Sequence, residues 1–225
     1  MEQTSVHDQI KAIKSQLRLF MNGAVSHSMR EKGLVYKLNF GVELPRIKEI
    51  ASYYPKEHHL AQALWKEEIR ECKILAGLLQ PVETFYPEIA DIWVESISNL
   101  EIAELTCMNL FQHLPYAPAK AFQWIASELH FVQICGYLTI ARLLQKRGDM
   151  SERVENEFLD QAVSAFLSGD YALRQSVMTA LRCFIRQGEA QAFSVCRRIE
   201  AFGSSTSEAE NLLYSLVQTE VSDAV

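Results

Sequence analysis

Four segments of the chain repeat one pattern, in which a helix ends at a bulky apolar residue and a second apolar-striped helix follows after a short polar turn. The bulky residues are Trp65, Trp93, Trp124 and Phe166. The second helices are predicted to begin near Glu71, Glu101, Phe131 and Tyr171, at offsets of 30, 30 and 40 residues. One helix pair cannot bury its apolar face alone, so the pattern predicts an all-α array of stacked pairs with the bulky residues between layers.

The composition fits a single array of this kind. Of the 225 residues 48% are hydrophobic and 22% charged, and only 9 glycines and 6 prolines interrupt the helical pattern. We predict one domain over residues 1–225, with N-terminal helices in 1–40, helix-pair repeats in about 45–202 and a closing helix in 205–221. This length suits one domain rather than two.

Several features predict a cytoplasmic protein with no membrane contact. The N-terminus scatters lysines and an arginine among its apolar residues, and no apolar run approaches the roughly 20 residues that cross a bilayer. The cysteines are odd in number, far apart and inside apolar helical patterns, so we interpret them as reduced core residues. They are Cys72, Cys107, Cys135, Cys183 and Cys196.

Charge is unevenly distributed along the chain, whose formal net charge is −6. Residues 1–48 contain 8 lysines and arginines against 4 acidic residues, whereas residues 49–131 contain 5 against 12. Further arginines gather between positions 171 and 200. Contacts with phosphate are therefore expected from the two ends of the chain rather than from its acidic middle.

The stretch NFGVELPRIKEIASYY, residues 39–54, joins a loop to an amphipathic helix. Gly41 supplies a sharp bend, and Pro45 suits the first helical turn, where its missing N–H costs nothing. Val42 and Leu44 are expected to fill the gap between the N-terminal helices and the array. The residues alone predict a packed linker.

This stretch resembles the Gly-Val-x-x-Pro-x-(Leu/Ile)-(Arg/Lys)-x-Ile segment of the AlkD-like DNA alkylation repair proteins, through Gly41, Val42, Pro45, Lys48 and Ile50. The segment LWKEEIRECKILAGLL, from Leu64, is similar to the family's next motif, in its Leu-Trp pair, its glutamate and its alanine. The resemblance implies a right-handed solenoid of HEAT-like helix pairs whose concave groove binds duplex or branched DNA. It also implies a DNA-3-methyladenine-type glycosylase, which hydrolyses the N-glycosidic bond of purines alkylated at N3 or N7.

The family's Trp-(Asp/Glu)-x-x-Asp motif falls on residues 100–104, which makes Glu104 and Glu101 the candidate catalytic carboxylates. A carboxylate beside the sugar would stabilise the positive charge that develops there. Leu100 replaces the aromatic wall of the motif. An ungapped comparison also places Ile134 where the family has an arginine, Gln175 where it has a lysine and Thr179 where it has a tryptophan. Base excision is therefore expected to be weakened or lost.

The candidate DNA-binding residues are Lys48, Arg174, Arg182 and Arg186. Each offers a cation that neutralises a backbone phosphate. Lys48 belongs to the matching loop segment, Arg182 matches a family arginine, and the other two come from the basic stretch near it.

Two alternatives remain open at this point. In the first, Glu101 and Glu104 join Glu128 and His130 of the next repeat in an acid/base or metal site, although a solvated helix start explains the same acids. The chain could also be a noncatalytic scaffold whose acidic middle binds a protein partner. No cofactor or metal is predicted, because the common nucleotide and zinc motifs are absent from the sequence.

Overall fold

The computed structural model describes residues 5–146, 148 and 150–224. The chain divides into two compact units, Met1–Leu114 and Pro115–Val225, which are called the N-terminal and C-terminal units below. The division does not decide whether residues 1–225 form one repeat domain, and that remains a prediction.

The N-terminal unit is helical. Its helices are α1 Val6–Leu19, α2 Gly23–Glu31, α3 Leu44–Ser52, α4 His58–Lys66, α5 Arg70–Leu79, α6 Pro87–Glu95 and α7 Leu100–Asn109. Short 3₁₀ turns cover Val82–Thr84 and Phe111–His113. Helix α4 packs on α5, and α5 packs on both α3 and α7, while α1 packs on α3 and α4.

The C-terminal unit continues the pattern. Its helices are α8 Ala117–Ile125, α9 His130–Gln145, α10 Glu152–Ser168, α11 Tyr171–Ile185, α12 Glu189–Arg198 and α13 Glu208–Ala224. A 3₁₀ turn covers Glu200–Ser204. Helix α9 packs between α8 and α11, and α10 packs on α11. The described residues contain no β-strand, so the predicted all-α class is confirmed.

The second helices begin where the sequence predicts, within one residue. Short polar side chains set two of these starts, because each accepts a hydrogen bond from a free N–H of the first turn. Asn99 Oδ1 accepts from the Ile102 N–H of α7 at 3.0 Å, and Asp170 Oδ1 accepts from the Leu173 N–H of α11 at 3.0 Å. Proline occupies the first turn of α3, as predicted for Pro45.

The four bulky residues at the ends of the first helices are buried, which confirms their predicted packing role. Trp65 and Trp93 stack with ring centroids 4.0 Å apart and planes 3° apart, and Phe85 makes an edge-to-face contact with Trp93, with centroids 4.9 Å apart. Each indole N–H has a hydrogen-bond acceptor, Ser96 Oγ at 2.9 Å for Trp65 and Gln62 Oε1 at 3.1 Å for Trp93. The stacked indoles are thus buried, and their polar atoms are satisfied.

The cysteines follow the prediction only in part. Cys72, Cys107 and Cys135 are buried, and burial raises the pKa of the Cys72 thiol to about 12. Cys183 and Cys196 are half-buried. Neither of these two is therefore a fully enclosed core residue.

Candidate nucleic-acid interface

The loop before α3 is held by a carboxylate from α5. Glu71, which is fully buried, accepts the Phe40 N–H at 3.2 Å through Oε2 and the Val42 N–H at 3.2 Å through Oε1. Between these two amides, Gly41 adopts φ +70°, a left-handed conformation that glycine takes without a penalty. The predicted packed linker is therefore a backbone loop clamped at both sides of a glycine.

A close approach of the backbone also requires a glycine at this position. A Cβ on Gly41 would lie 2.2 Å from the carbonyl oxygen of Asn22 and 2.8 Å from the Ser26 nitrogen. Asn22 in turn donates its N–H to the Phe40 carbonyl at 2.8 Å. This hydrogen bond connects the turn between α1 and α2 to the loop that Glu71 of α5 holds.

Replacing Gly41 by alanine is expected to lower the free energy of unfolding by at least about 1–2 kcal/mol, the cost of the left-handed conformation alone. The clash with Asn22 adds to this, because a backbone atom has to move. Urea denaturation measures the loss. Gly77→Ala in α5 is the matched control, since a Cβ there meets nothing within 4 Å. Equal stability of the two variants would contradict the proposed strain.

Arg70 connects Glu71 and the loop that it binds to helix α7. The residue is 2% exposed, and its guanidinium donates to Glu101 Oε2 at 2.8 Å and Oε1 at 2.6 Å. It also donates to the Val42 carbonyl at 2.9 Å and to Glu71 Oε1 at 3.1 Å. One buried cation therefore joins two carboxylates and the loop backbone.

Tyr36 completes this network. Its hydroxyl donates to Glu101 and lies 3.0 Å from Asn99 Oδ1. Burial, followed by the neighbouring Glu101 carboxylate, raises the pKa of Tyr36 above its ordinary value of 10.0. Burial alone would raise the pKa of Glu101, but the hydrogen bonds from Arg70 and Tyr36 outweigh it and lower this pKa below 4.5. Glu101 is therefore held as a charged acceptor.

The two candidate catalytic carboxylates lie in different surroundings. Both oxygens of Glu101 accept hydrogen bonds from Arg70, and its side chain is 20% exposed. Glu104, three residues further along α7, is exposed to solvent. A catalytic role for either carboxylate stays a prediction. Glu128 and His130 belong to the C-terminal unit, so a joint site with these carboxylates also stays a prediction.

Helix α11 presents one continuous stripe to solvent. The stripe consists of Tyr171, Gln175, Thr179, Arg182 and Arg186, each exposed or half-buried. Steps of three or four residues keep these side chains on one face of the helix. Tyr171, at the start of the stripe, is 79% exposed. We call these five residues the α11 face.

A glutamate of the last helix meets the two arginines of the α11 face. Glu220 Oε1 lies 2.7 Å from Arg182 Nε and 2.5 Å from its Nη2, and Glu220 Oε2 lies 3.9 Å from Arg186 Nη2. The hydrogen bond from Arg182 lowers the pKa of Glu220 below 4.5. The arginine side chains remain 41% and 60% exposed, so two cations share one carboxylate and the face keeps a positive charge.

Arg174 and Lys48, the other two candidate DNA-binding residues, differ in the contacts that they make. Arg174 Nε donates to the Phe166 carbonyl at 2.9 Å, and its guanidinium lies 5.4 Å from the centroid of the Phe166 ring. Arg174 thus satisfies a carbonyl at the end of α10 and is not part of the α11 face. Lys48 on α3 is exposed and forms no ion pair with any described residue. DNA binding by either residue stays a prediction.

Position 134, where the resembling family has an arginine, lies inside the core. Ile134 is fully buried in α9, so a side chain at this position points into the core and not toward a ligand. Its presence therefore removes no phosphate contact from the surface. Gln175 and Thr179 do lie on the α11 face, so the absence of a lysine and a tryptophan at these positions changes the surface itself.

Sequence analysis missed Arg70 and Tyr36. A cation at the first position of a helix is disfavoured by the helix dipole, which is the signal that could have identified Arg70 as a residue with a carboxylate partner. Tyr36 lies 65 residues from Glu101, and no pattern in the sequence joins them.

Fold and site together define a protein of stacked helix pairs with a cationic and aromatic face on α11. The structure is similar, with a TM-score of 0.76 at 16% identity over 93% of this chain and 94% of the other, to a protein from "a new family of proteins related to the HEAT-like repeat DNA glycosylases with affinity for branched DNA structures". This likeness confirms the predicted HEAT-like solenoid fold class. A designed armadillo repeat protein is also similar, with a TM-score of 0.41 at 11% identity over 100% of this chain and 96% of the other.

Residues 13–190 match the family described as DNA alkylation repair enzyme, and the chain belongs to that family. The resemblance noted in the sequence is thereby confirmed. No curated protein matches the chain. Among the described residues, no helix combines the length and the apolar character needed to cross a bilayer.

Proposed function

We propose that this protein binds branched or distorted DNA through phosphate contacts and base stacking, and that base excision is weakened or lost. The observation that carries the proposal is the α11 face, where exposed Tyr171 precedes Arg182 and Arg186 on one helical stripe. Cations that follow a phosphate backbone beside an aromatic ring are typical of proteins that bind unpaired or opened nucleic acid.

The choice of branched DNA draws support from the structurally similar protein, which is described as having affinity for branched DNA structures. A branch point exposes base faces that a linear duplex keeps stacked. An exposed aromatic side chain can stack on such a base face, whereas the bases of an intact duplex already stack on one another.

The proposal that base excision is weakened or lost rests on the motif in α7. Leu100 stands at the first position of that helix, where the resembling family has an aromatic residue, and Glu101 is engaged by Arg70. Glu104 remains as an exposed carboxylate, without an aromatic residue at position 100 to position a sugar or base. Catalysis depends on such positioning as well as on charge.

The binding experiment compares a three-way junction with a linear duplex of the same length, by fluorescence anisotropy over a series of salt concentrations. Tighter binding of the junction is expected. Arg186→Glu should weaken the binding of both DNAs and lower the salt slope by about 1, as expected for the loss of one phosphate contact. Arg153→Glu, an exposed arginine of α10, is the control. Absence of any DNA binding at low salt would refute the proposal.

A base-release assay tests the catalytic part. Duplex DNA carrying N-methylated purines is incubated with the wild-type protein, with Glu104→Gln and without protein. Release close to the blank is expected for the wild type. Release that is clear in the wild type and vanishes in Glu104→Gln would instead show that base excision persists and that Glu104 supports it.

A protein-binding scaffold is the second candidate function. The observation that favours it is the acidic middle of the chain, with 12 acidic residues against 5 basic ones in residues 49–131. A partner recovered from native cells that competes with junction DNA would favour the scaffold over DNA binding.

A further inference from the structure

The turn between α1 and α2 exposes three consecutive large apolar side chains. Leu19 is 81% exposed, Phe20 is 42% exposed and Met21 is 61% exposed. We call these residues the apolar tip. Single exposed apolar residues are ordinary, but a contiguous group of them is typical of a binding surface.

The apolar tip is held in place by the backbone of the unit. Asn22, which follows it, donates its N–H to the Phe40 carbonyl, and the neighbouring Gly41 leaves no room for a side chain. The Phe40 and Val42 amides are in turn bound by the buried Glu71 carboxylate. The tip is therefore a projection on a fixed support, and little order has to be gained when a ligand binds.

The surroundings of the tip are cationic. The Arg46 guanidinium lies 4.3 Å from the centroid of the Phe20 ring and is also paired with Glu49. Arg18 directly precedes the tip and is exposed, and Lys11, seven residues earlier, lies on the same side of α1. Neither Arg18 nor Lys11 forms an ion pair with a described residue. A ligand of the tip must therefore combine negative charge with apolar surface.

We propose that the apolar tip stacks against the unpaired or exposed bases at a branch point of DNA, while Arg18 contacts an adjacent phosphate. The inference rests on the proposed DNA-binding function and adds the residues that recognise the branch. Leucine, phenylalanine and methionine are the side chain types that proteins insert at opened base steps. The Arg46 guanidinium over the Phe20 ring places a positive charge beside this apolar surface.

The test compares the wild type with the double variant Leu19→Ser/Met21→Ser, and with Ile92→Ser, an isoleucine of α6 that is 65% exposed. Affinities for a three-way junction and a linear duplex are measured, and a 2-aminopurine at the branch point reports on base stacking. The double variant should bind the junction about tenfold more weakly, the order of effect of no longer burying one large apolar side chain. Its affinity for the linear duplex should be nearly unchanged, and its 2-aminopurine signal should be reduced, since Phe20 alone remains to contact the base.

Each other outcome overturns the inference in a distinct way. A wild type that binds no DNA refutes the proposed function and the inference with it. Equal junction binding by the wild type and the double variant refutes the role of the tip alone, and an equal loss for both DNAs refutes its selectivity for branches. If only the binding of anionic lipid vesicles is lost in the double variant, the tip contacts membranes instead. Urea denaturation confirms that each variant is folded.

Discussion

Replacing Arg70 by methionine is expected to lower the free energy of unfolding by about 3–5 kcal/mol, the usual cost of removing one partner of a buried ion pair. Methionine keeps much of the volume but none of the donors. The Val42 carbonyl loses its partner, and Glu101 loses the guanidinium that donates to both of its oxygens. Urea denaturation followed by circular dichroism measures the change.

The loss should depend on pH. The pKa of Glu101 is lower in the folded protein than its ordinary value of 4.5, because of Arg70 and Tyr36. Such a group stabilises the fold above its unfolded-state pKa, and this contribution disappears as the pH falls through the lowered value. The difference in the free energy of unfolding between the wild type and Arg70→Met should therefore be largest near neutral pH and should decrease in acid.

A second substitution separates charge from packing. In Arg70→Met/Glu101→Gln a neutral amide replaces the half-buried carboxylate, so no unpaired charge remains at position 101. Part of the lost stability should therefore return. Arg153→Met, at an exposed arginine of α10, controls for the loss of a surface cation. If Arg70→Met cost no more than this control, the network would contribute nothing to stability, and its description as the support of the loop would be wrong.

Replacing Trp93 by alanine is also expected to cost about 3–5 kcal/mol, as for other aromatic residues removed from a core. Trp93 is 1% exposed, it stacks on Trp65, and it makes an edge-to-face contact with Phe85. The truncation opens a cavity among these rings and leaves Gln62 Oε1 without the indole donor. Chemical denaturation measures the lost free energy of unfolding. The exciton-coupled circular dichroism of the Trp65 and Trp93 indoles should also disappear.

Two comparisons make this prediction specific. Trp93→Phe retains most of the aromatic area and should lose much less stability than Trp93→Ala. Tyr86→Ala removes an aromatic residue that is 61% exposed and should be close to neutral. A loss below about 1 kcal/mol for Trp93→Ala would show that the rings do not form the packed layer that the repeat pattern predicts.

The sequence predicted those parts of the fold that depend on local signals. Helices α7 and α11 begin within one residue of expectation, because Asn99 and Asp170 are capping residues before apolar stripes. Pro45 and Gly41 have the predicted roles because each has a strong backbone preference of its own. Local chemistry was enough in these places.

Other features depend on contacts between distant residues, and the sequence did not reveal them. Arg182 and Glu220 are 38 residues apart, and Arg70 and Glu101 are 31 apart. The burial of Ile134 depends on which side of α9 faces its neighbours α8 and α11, and α9 is apolar on several sides. Charge counts therefore predicted the basic ends of the chain, but not which of their cations are already paired.

The binding of the Phe40–Val42 loop by Glu71 has an evolutionary consequence. The carboxylate recognises two main-chain amides, so this anchor does not depend on which side chains the loop exposes. Inserting or deleting one residue between these amides would break both hydrogen bonds at once. Loop length is therefore expected to tolerate little change, whereas substitutions at neighbouring solvent-facing positions leave both hydrogen bonds in place.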